Sequence, residues 1–595
     1  MKKIIFIFVL GLLTNGVFAQ DNAFLTETCT PETFARYDNF IKLNAPGEDA
    51  FVAVLRVAAQ YVQERQWEKA VDVFKMYSPL FKKMEKRFDK IISMLEAKEE
   101  KLILRGLGLG VNSESNEYVP TPSADGMLMY FTGYERSDGF GGEDIFFSNL
   151  INNEWQKAEN LGSKLNSKTN EAIVSVSADG NKIILFGNYK KTFGRGDNFY
   201  IDKTNTGWSD IRHFPEPINS QYFDASALIT SDGIAMLFVS DRPGGIGDTH
   251  FKGELFHGDT WGNTDIYVCL KQGDGWGEPI DLGAKINTPY AEFSPFLHPD
   301  GKTLYFSSTG HYGLGNFDVF KSVRLSDSSW TEWSEPVNLG KEINTAGDDW
   351  GYKISTSGDI AYFSGYNKDN LSDDIYSITL PKEVRPERVA TIRGKVTDDK
   401  GNMLEADILW EDLSSGKNVG QLKSNPRDGT YFIALPLGKN YGYYAEKKGY
   451  YSVSKNIDLP GTIESKNITE DIVLVSIRDI KEKEISVRIN NIFFDYDKYE
   501  IKPESFPELN RLVKILKDTD SKVEIAGHTD SRGKDKYNLE LSKNRAQAVV
   551  NYLISLGCSS INLTAIGYGE TKPISNEATE EGYARNRRVE FKFIK

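Results

Sequence analysis

The sequence predicts a multidomain protein with a short α-helical module, a β-propeller of five or six blades, a small β-sandwich and a C-terminal α+β domain. Three observations support this prediction. The chain has 595 residues, which is too long for a single hydrophobic core. A repeat of short apolar strands fills its middle. Strand and helix patterns then alternate over residues 484–595.

The composition is that of an acidic, globular protein. Hydrophobic residues make up 39% of the chain and aromatic residues 12%, which supplies apolar surface for several cores. The 85 acidic residues outnumber 71 basic ones, and the formal net charge is −14. Because nucleic-acid-binding domains usually present a basic face, this balance argues against a nucleic-acid partner.

Residues 1–19 have the pattern of a cleaved secretory signal peptide. Lys2 and Lys3 precede an apolar stretch, and Val17 and Ala19 form a small-residue cleavage site. No cysteine follows directly, so we expect no lipid anchor, and no later run is apolar enough for a transmembrane helix. We therefore expect export to the periplasm.

The cysteines do not predict a disulfide framework. Cys29, Cys269 and Cys558 are odd in number and far apart, whereas disulfide-rich secreted domains carry closely spaced pairs. We expect buried or unreactive thiols, with one disulfide between domains as the alternative.

Residues 20–104 are predicted to form a helical module. In the segment AAQYVQERQWEKAVDVFKMY, apolar residues recur at helix-turn-helix spacing. The segment resembles a tetratricopeptide unit, with Ala70 and Phe74 in its second helix. One unit is too few for a solenoid, so we expect the module to pack against another part of the protein.

Residues 105–382 contain the repeat that predicts five propeller blades. Each unit has an asparagine, usually after Leu-Gly, then an acid five residues later and a tight turn between apolar strands. Several short strands per unit favour blades over helical repeats, and a sixth blade would require a degenerate unit. The partial unit at Leu107–Glu117 is predicted to let the last blade close on the first. The units resemble the WD40-like propeller repeats of envelope proteins. The repeated asparagines and acids are Asn112, Asn166, Asn219, Asn287 and Asn344, and Glu117, Glu171, Asp224, Glu292 and Asp349.

Neither these acids nor an insertion at residues 242–263 predicts a metal site. An acid before a strand more often caps a turn than binds calcium. The insertion contains several residues able to bind a metal, but no pair has the spacing of a known site. We expect a solvated loop, with metal binding as the alternative. These residues are Asp248, His250, Glu254, His257 and Asp259.

Residues 388–475 predict a small β-sandwich. Short alternating strands flank the turns in GKVTDDKGNMLEA and DGTYFIALPLGKNY, and KKGY closes the segment. These motifs resemble the carboxypeptidase regulatory-like domain, which implies a non-catalytic spacer or docking module.

Residues 484–595 predict a layer of helices on one side of a sheet. In the second helix Asn538, Ser542 and Arg545 share one face, and Asp530 ends the strand before it. A carboxylate binds an ammonium group and a guanidinium binds a carboxylate, so Asp530 and Arg545 together match an amino acid that presents both groups. The alternative is a plain salt bridge between them.

Family resemblance favours ligand binding. The segments NNIFFDYDKYEIKPES, AGHTDSRGKDKYNLELSKNRAQAVVNYL, IGYGETKP and NRRVEF resemble the OmpA-like peptidoglycan-binding domain. This resemblance implies that Asp530 and Arg545 clasp the zwitterionic end of diaminopimelate in the stem peptide of peptidoglycan. It also implies that the pocket is shaped by Phe494, Asp495, Thr529, Asn538, Leu541 and Arg588.

These features predict a non-catalytic periplasmic protein that anchors an outer-membrane-associated complex to the cell wall. The domain order resembles the peptidoglycan-binding component of the type IX secretion system, which implies an outer-membrane partner for the propeller and helical module. The alternatives are a propeller-based hydrolase and a glycan-binding surface protein. The sequence has six histidines and neither a G-x-S-x-G nor an H-E-x-x-H motif, so we predict no catalytic residues, cofactor or metal.

Overall fold

The structure is a computed structural model. It describes residues 30–594 except 188, 190, 191, 195, 248–262, 368–371, 460, 462, 463, 496 and 520. The predictions for the signal peptide, for Cys29 and for the metal-binding candidates of the insertion lie outside the described residues. The chain divides into two compact units, Met1–Thr391 with Phe432–Pro436, and Ile392–Tyr431 with Leu437–Lys595.

Four helices begin the described part of the first unit: α1 (Pro31–Asn44), α2 (Glu48–Gln63), α3 (Trp67–Tyr77) and α4 (Glu85–Glu96). The side chain of Thr30 caps α1 by accepting from the backbone N–H of Thr33. In the core of this bundle, the ring of Phe88 meets Phe51 and Phe74 edge to face at centroid distances of 5.5 and 6.1 Å.

Five antiparallel sheets follow, after a short strand β1 (Leu104–Gly106). The first sheet contains β2 (Asn116–Pro122), β3 (Leu128–Tyr134), β4 (Glu143–Ile151), β5 (Glu154–Trp155) and β6 (Glu159–Asn160). The second contains β7 (Glu171–Val176), β8 (Lys182–Gly187), β9 (Asn198–Thr204), β10 (Gly207–Trp208) and β11 (Arg212–His213). The third contains β12 (Asp224–Ile229), β13 (Ala235–Ser240), β14 (Asp265–Gln272), β15 (Gly275–Trp276) and β16 (Ile280–Asp281).

The fourth and fifth sheets have four strands each. The fourth contains β17 (Glu292–Leu297), β18 (Thr303–Ser308), β19 (Asp318–Val323) and β20 (Val337–Asn338). The fifth contains β21 (Lys353–Ile354), β22 (Ile360–Asn367) and β23 (Ser372–Thr379), and β1 pairs with β23 to complete it. The fifth sheet therefore takes strands from both ends of the repeat region.

The side chain of each repeated asparagine bonds to the backbone of a strand in the sheet before it, and that of Asn112 bonds to the fifth sheet. Asn166 Oδ1 accepts from the backbone N–H of Ile145 and its Nδ2 donates to Ile145 O, both at 2.9 Å. This exchange satisfies both polar groups of the buried amide. Asn112 makes the same exchange with Ile375 of β23, at 2.9 and 3.0 Å. The other three pairs are Asn219 with Asn198, Asn287 with Ile266, and Asn344 with Val319.

The repeated acid holds the turn after each asparagine. Glu171 accepts from the backbone N–H of Ser167 at 2.8 Å and from its hydroxyl at 2.6 Å. These bonds make the acids turn caps. Among the described residues, no group of three His, Cys, Asp or Glu side chains is placed to hold a metal ion. Equivalent bonds join Ser113 to Glu117, Ser220 to Asp224, Thr288 to Glu292 and Thr345 to Asp349.

The helical bundle packs against a loop of the fourth sheet and the segment that joins the fourth sheet to the fifth. Lys341 Nζ donates to Leu95 O and Ala97 O, both at 2.6 Å, at the end of α4. Leu314 and Ala346 belong to the same apolar cluster as the bundle core. The bundle is therefore part of the first unit.

In residues 388–475 the strands form two sheets. One contains β25 (Asp407–Asp412), β26 (Lys417–Lys423), β28 (Asn440–Glu446) and β30 (Val453–Asp458). The other contains β24 (Val389–Asp398), β27 (Thr430–Pro436), β29 (Tyr450–Tyr451), β31 (Lys466–Thr469) and β32 (Ile472–Ser476). Trp410 and Tyr443 pack in the first of these sheets, with ring centroids 5.1 Å apart.

The C-terminal region confirms the predicted α+β domain. Its sheet has the order β33 (Val487–Ile489), β36 (Val589–Ile594), β34 (Lys522–Gly527), β35 (Leu563–Gly567), and only β34 and β35 are parallel. The helices are α5 (Ile477–Glu482), α6 (Phe506–Thr519), α7 (Asp535–Ser555) and α8 (Glu580–Asn586). Leu509, Val549 and Phe591 are fully buried in the shared core.

Cys269 and Cys558 are free and buried. Of the helices in the described part of the chain, none combines the length and the apolar composition that crossing a bilayer requires.

Candidate functional site

The candidate site lies at the end of β34, where α7 packs unusually close to the sheet. A Cβ on Gly527 would come within 2.1 Å of Ser542 O, and one on Gly567 within 2.5 Å of Lys543 N. Ser542 Oγ also accepts from the backbone N–H of Gly569 at 2.9 Å. These contacts fix the inner face of α7 against the ends of two parallel strands.

Asp530 is a buried carboxylate held by two arginines. Its residue is 6% exposed, and its Oδ2 accepts from Arg532 Nη2 at 2.8 Å and from Arg587 Nη1 at 2.7 Å. Oδ1 accepts from the backbone N–H of Arg532 at 3.0 Å. Burial raises the pKa of Asp530, but the bonds from Arg532 and Arg587 outweigh it and hold the pKa below its usual value. The carboxylate is therefore ionised at neutral pH.

Arg545 presents its guanidinium near Asp530 without bonding to it. Its Nε donates to Lys498 O at 3.0 Å, and its guanidinium carbon lies 5.0 Å from the ring centroid of Phe494. Burial lowers the pKa of Arg545, Arg587 lowers it further, and the negative charge of Asp530 acts in the opposite direction. Within the described residues, no carboxylate forms an ion pair with Arg545, so the plain Asp530–Arg545 salt bridge is not formed.

Thr529 and Asn538 lie beside Asp530. Asn538 Nδ2 donates to Glu570 Oε2 at 2.6 Å and to Asp530 O at 3.3 Å. Thr529 is 5% exposed, and its hydroxyl has no hydrogen-bond partner in the described part of the chain. Because buried hydroxyls are nearly always bonded, this one marks a position where a ligand group could bind.

Three further residues of the predicted pocket lie on its outer side. Phe494 is half-buried beneath the Arg545 guanidinium, and Leu541 is half-buried on α7. Asp495 is exposed, and its carboxylate pairs with Lys498 at 3.4 Å and Lys502 at 3.7 Å.

Of two neighbouring arginines, Arg587 and not Arg588 contacts Asp530. Arg588 is buried, and its Nε donates to Glu590 Oε1 at 2.5 Å while its other nitrogens donate to backbone carbonyls. Arg588 was predicted from the sequence as a pocket residue, whereas Arg532 and Arg587 were not. The Arg587-Arg588 pair before β36 was a signal that the sequence offered. Adjacent residues of an extended chain point to opposite sides, so the two arginines are expected to face different surroundings.

Comparison with known proteins finds relatives of this domain. Residues 493–587 match the OmpA family model. Outer membrane porin F of Pseudomonas fluorescens is 44% identical over 101 residues, 17% of this chain and 31% of the porin. The peptidoglycan-associated lipoprotein of Pseudomonas aeruginosa is 39% identical over 104 residues, 18% of this chain and 62% of the lipoprotein. This chain thus spans less than two thirds of either relative.

A third relative is covered more fully. The peptidoglycan-associated lipoprotein of Pasteurella multocida is 35% identical over 115 residues, 19% of this chain and 73% of the lipoprotein. Among solved structures, that of the peptidoglycan-associated lipoprotein from Burkholderia pseudomallei covers 17% of this chain and 88% of its own, with 32% identity and a TM-score of 0.17.

Proposed function

Because the chain belongs to the OmpA family through its C-terminal domain, we propose that it is a periplasmic protein that binds peptidoglycan non-covalently. This family is generally one of non-enzymatic anchors, which favours binding over catalysis. The proposed ligand group is the free zwitterionic end of diaminopimelate in the stem peptide. One observation carries the proposal: an ionised, buried Asp530 lies near Arg545, whose guanidinium has no carboxylate partner among the described residues.

The negative charge of Asp530 and the positive charge of Arg545 match the ammonium and carboxylate groups of an amino acid. Asp530 Oδ2 already accepts from both arginines, whereas within the described residues Oδ1 accepts only from a backbone N–H, so Oδ1 can accept from a ligand ammonium. Arg545 uses only Nε for Lys498, which leaves its two terminal nitrogens to bind a ligand carboxylate. Thr529 supplies a hydroxyl beside them. Phe494, Asp495, Asn538 and Leu541 would complete the pocket wall.

Co-sedimentation with purified peptidoglycan sacculi tests this proposal. Asp530→Asn and Arg545→Gln should each lower the affinity at least tenfold, since a charge-assisted bond is worth about 1.5–3 kcal/mol. Asp535→Asn and Lys543→Gln, which change exposed charges on α7, should pellet like the wild type. Free diaminopimelate should compete, whereas cadaverine, which has ammonium groups but no carboxylate, should not. A folded wild-type protein that stays in the supernatant would refute the proposal.

We also propose that the five sheets form a five-bladed propeller that docks an outer-membrane-associated complex. Two contacts of β2 support it: Asp373 N of the fifth sheet donates to Asn116 Oδ1 at 2.9 Å, and the ring of Tyr118 lies 6.5 Å from that of Trp350, just before β21. The strand β1 in the fifth sheet supports it as well. On the resemblance of the domain order, the type IX secretion apparatus is the proposed complex, and the 388–475 region is its spacer.

Cross-linking in intact cells tests this second part. Outer-membrane proteins should be recovered with the full chain and lost when residues 30–382 are deleted. Recovery that is unchanged by this deletion would contradict docking through the first unit.

A further inference from the structure

The first strands of the five sheets surround a narrow cavity. Every sheet contributes to its lining, through Val119, Val174, Ser226, Ser294 and Lys353. The remaining lining residues are uncharged, so Lys353 is the only ionisable group among the described residues that line the cavity.

The fold does not require a lysine at this position. Lys353 lies four residues beyond the repeated acid, and the equivalent residues of the other four units are uncharged. Two of them carry hydroxyls, which donate to backbone carbonyls at 3.1 and 2.7 Å. The lysine is therefore specific to the fifth unit and is not a feature that the repeated units share. The four equivalent residues are Thr121, Ser175, Leu228 and Phe296.

Lys353 is a buried cation with few partners. Its residue is 6% exposed, its Nζ lies 3.4 Å from Val174 O, and the Phe296 ring centroid is 5.6 Å away. Within the described residues, no carboxylate forms an ion pair with it. An ammonium has three N–H donors, and burial without an opposite charge disfavours its charged form. Burial accordingly lowers the pKa of Lys353 to about 8, which still leaves it mostly protonated at neutral pH.

We propose that this cavity binds a small monovalent anion at Lys353 Nζ. Ser226 and Ser294 line the same cavity, and a serine hydroxyl can donate to an anion. The cavity volume is about 10 Å³, room for one water-sized group such as a chloride ion or a single carboxylate oxygen. The bound anion supplies the opposite charge that the sheets do not.

Thermal unfolding of the full chain at constant ionic strength tests the proposal. At pH 7, replacing gluconate, which is too large for the cavity, with chloride or formate should raise the midpoint for the first unit by about 2 °C. Comparing the rise in chloride with the rise in formate distinguishes a site for a halide from a site for a carboxylate. Lys353→Met should abolish the rise, and so should pH 9.5, where Lys353 is neutral. Lys321→Met, which removes a half-buried lysine of β19 outside this cavity, should preserve it.

A second measurement does not depend on the stability of any variant. Crystals of the wild-type chain soaked in bromide should show an anomalous peak in contact with Lys353 Nζ. An equal anion response in Lys353→Met, or the absence of bromide at Nζ, would overturn the proposal.

Discussion

Arg587 Nη1 lies 2.7 Å from Asp530 Oδ2, and this contact joins the end of α8 to the end of β34. Arg587 also donates to Glu580 Oε1 at 2.7 Å, so its guanidinium is held from both sides. The proposed ligand carboxylate therefore has to bind Arg545, because Arg587 is already paired. Arg587 serves instead to fix the orientation and the charge of Asp530.

Arg587→Gln should shift the pH dependence of peptidoglycan binding. Burial raises the pKa of Asp530 and the bonds from Arg532 and Arg587 more than offset it, so removing one of them raises that pKa. Binding that needs the ionised carboxylate should then be lost at a higher pH than in the wild type, in sacculus co-sedimentation between pH 3 and 8. Arg585→Gln changes an exposed arginine of α8 and should leave the profile unchanged. Identical profiles for all three proteins would show that Arg587 does not act on Asp530.

Gly527→Ala should destabilise the C-terminal domain by about 1–3 kcal/mol or more. The new Cβ would lie 2.1 Å from the backbone oxygen of Ser542, so α7 would have to move away from the sheet. Urea unfolding measures the loss, and peptidoglycan affinity should fall with it. Gly275→Ala has only an ordinary contact at 3.8 Å and should cost little. A stable Gly527→Ala domain with wild-type affinity would show that the close approach is not needed.

Asp265→Asn should stabilise the first unit at pH 8 but not at pH 4. Burial raises the pKa of Asp265 to about 8, so the folded state binds this proton more tightly than the unfolded state. The resulting stability is complete below the usual Asp pKa and is lost as the pH rises towards 8. An asparagine keeps a neutral acceptor for Ile246 N and should gain on the order of several kcal/mol at pH 8. Chemical unfolding at both pH values, with exposed Asp274→Asn as the control, measures the difference.

Lys341→Met should loosen the helical bundle without unfolding the sheets. Its Nζ binds two carbonyl oxygens at the end of α4, where a cation is also favoured by the helix dipole. Losing two such bonds should speed hydrogen exchange in α4 by about tenfold or more. Lys302→Met, which removes an exposed ion pair with Glu387, should not change exchange in α4. Unchanged exchange in Lys341→Met would mean that apolar packing alone holds the bundle.

Local patterns made much of this structure predictable. The C-terminal α+β domain follows from hydrophobic periodicity, and the spacing of Asn538, Ser542 and Arg545 on α7 follows from helix geometry. The repeat located its asparagines and acids because each acid bonds within the same short turn, and all the asparagines except Asn112 bond to a strand about 20 residues earlier.

Contacts between segments that lie far apart in the sequence could not be predicted from local patterns. Arg532 and Arg587 were missed as partners of Asp530 because two consecutive arginines do not show which of them faces inward. Lys353 was likewise unremarkable in the sequence. Its isolation depends on four other sheets that exclude water and supply no carboxylate to it within the described residues.

The hydrogen bonds that Asn112 and Ile375 exchange also determine how late in synthesis the two ends of the repeat region can join. The two residues are 263 positions apart, so a ribosome adding about 5–20 residues per second needs on the order of half a minute to deliver the second after the first. Until then β1 has no strand to join. A chain that ends before residue 372 would leave β1 unpaired, as a site for mispairing with other chains.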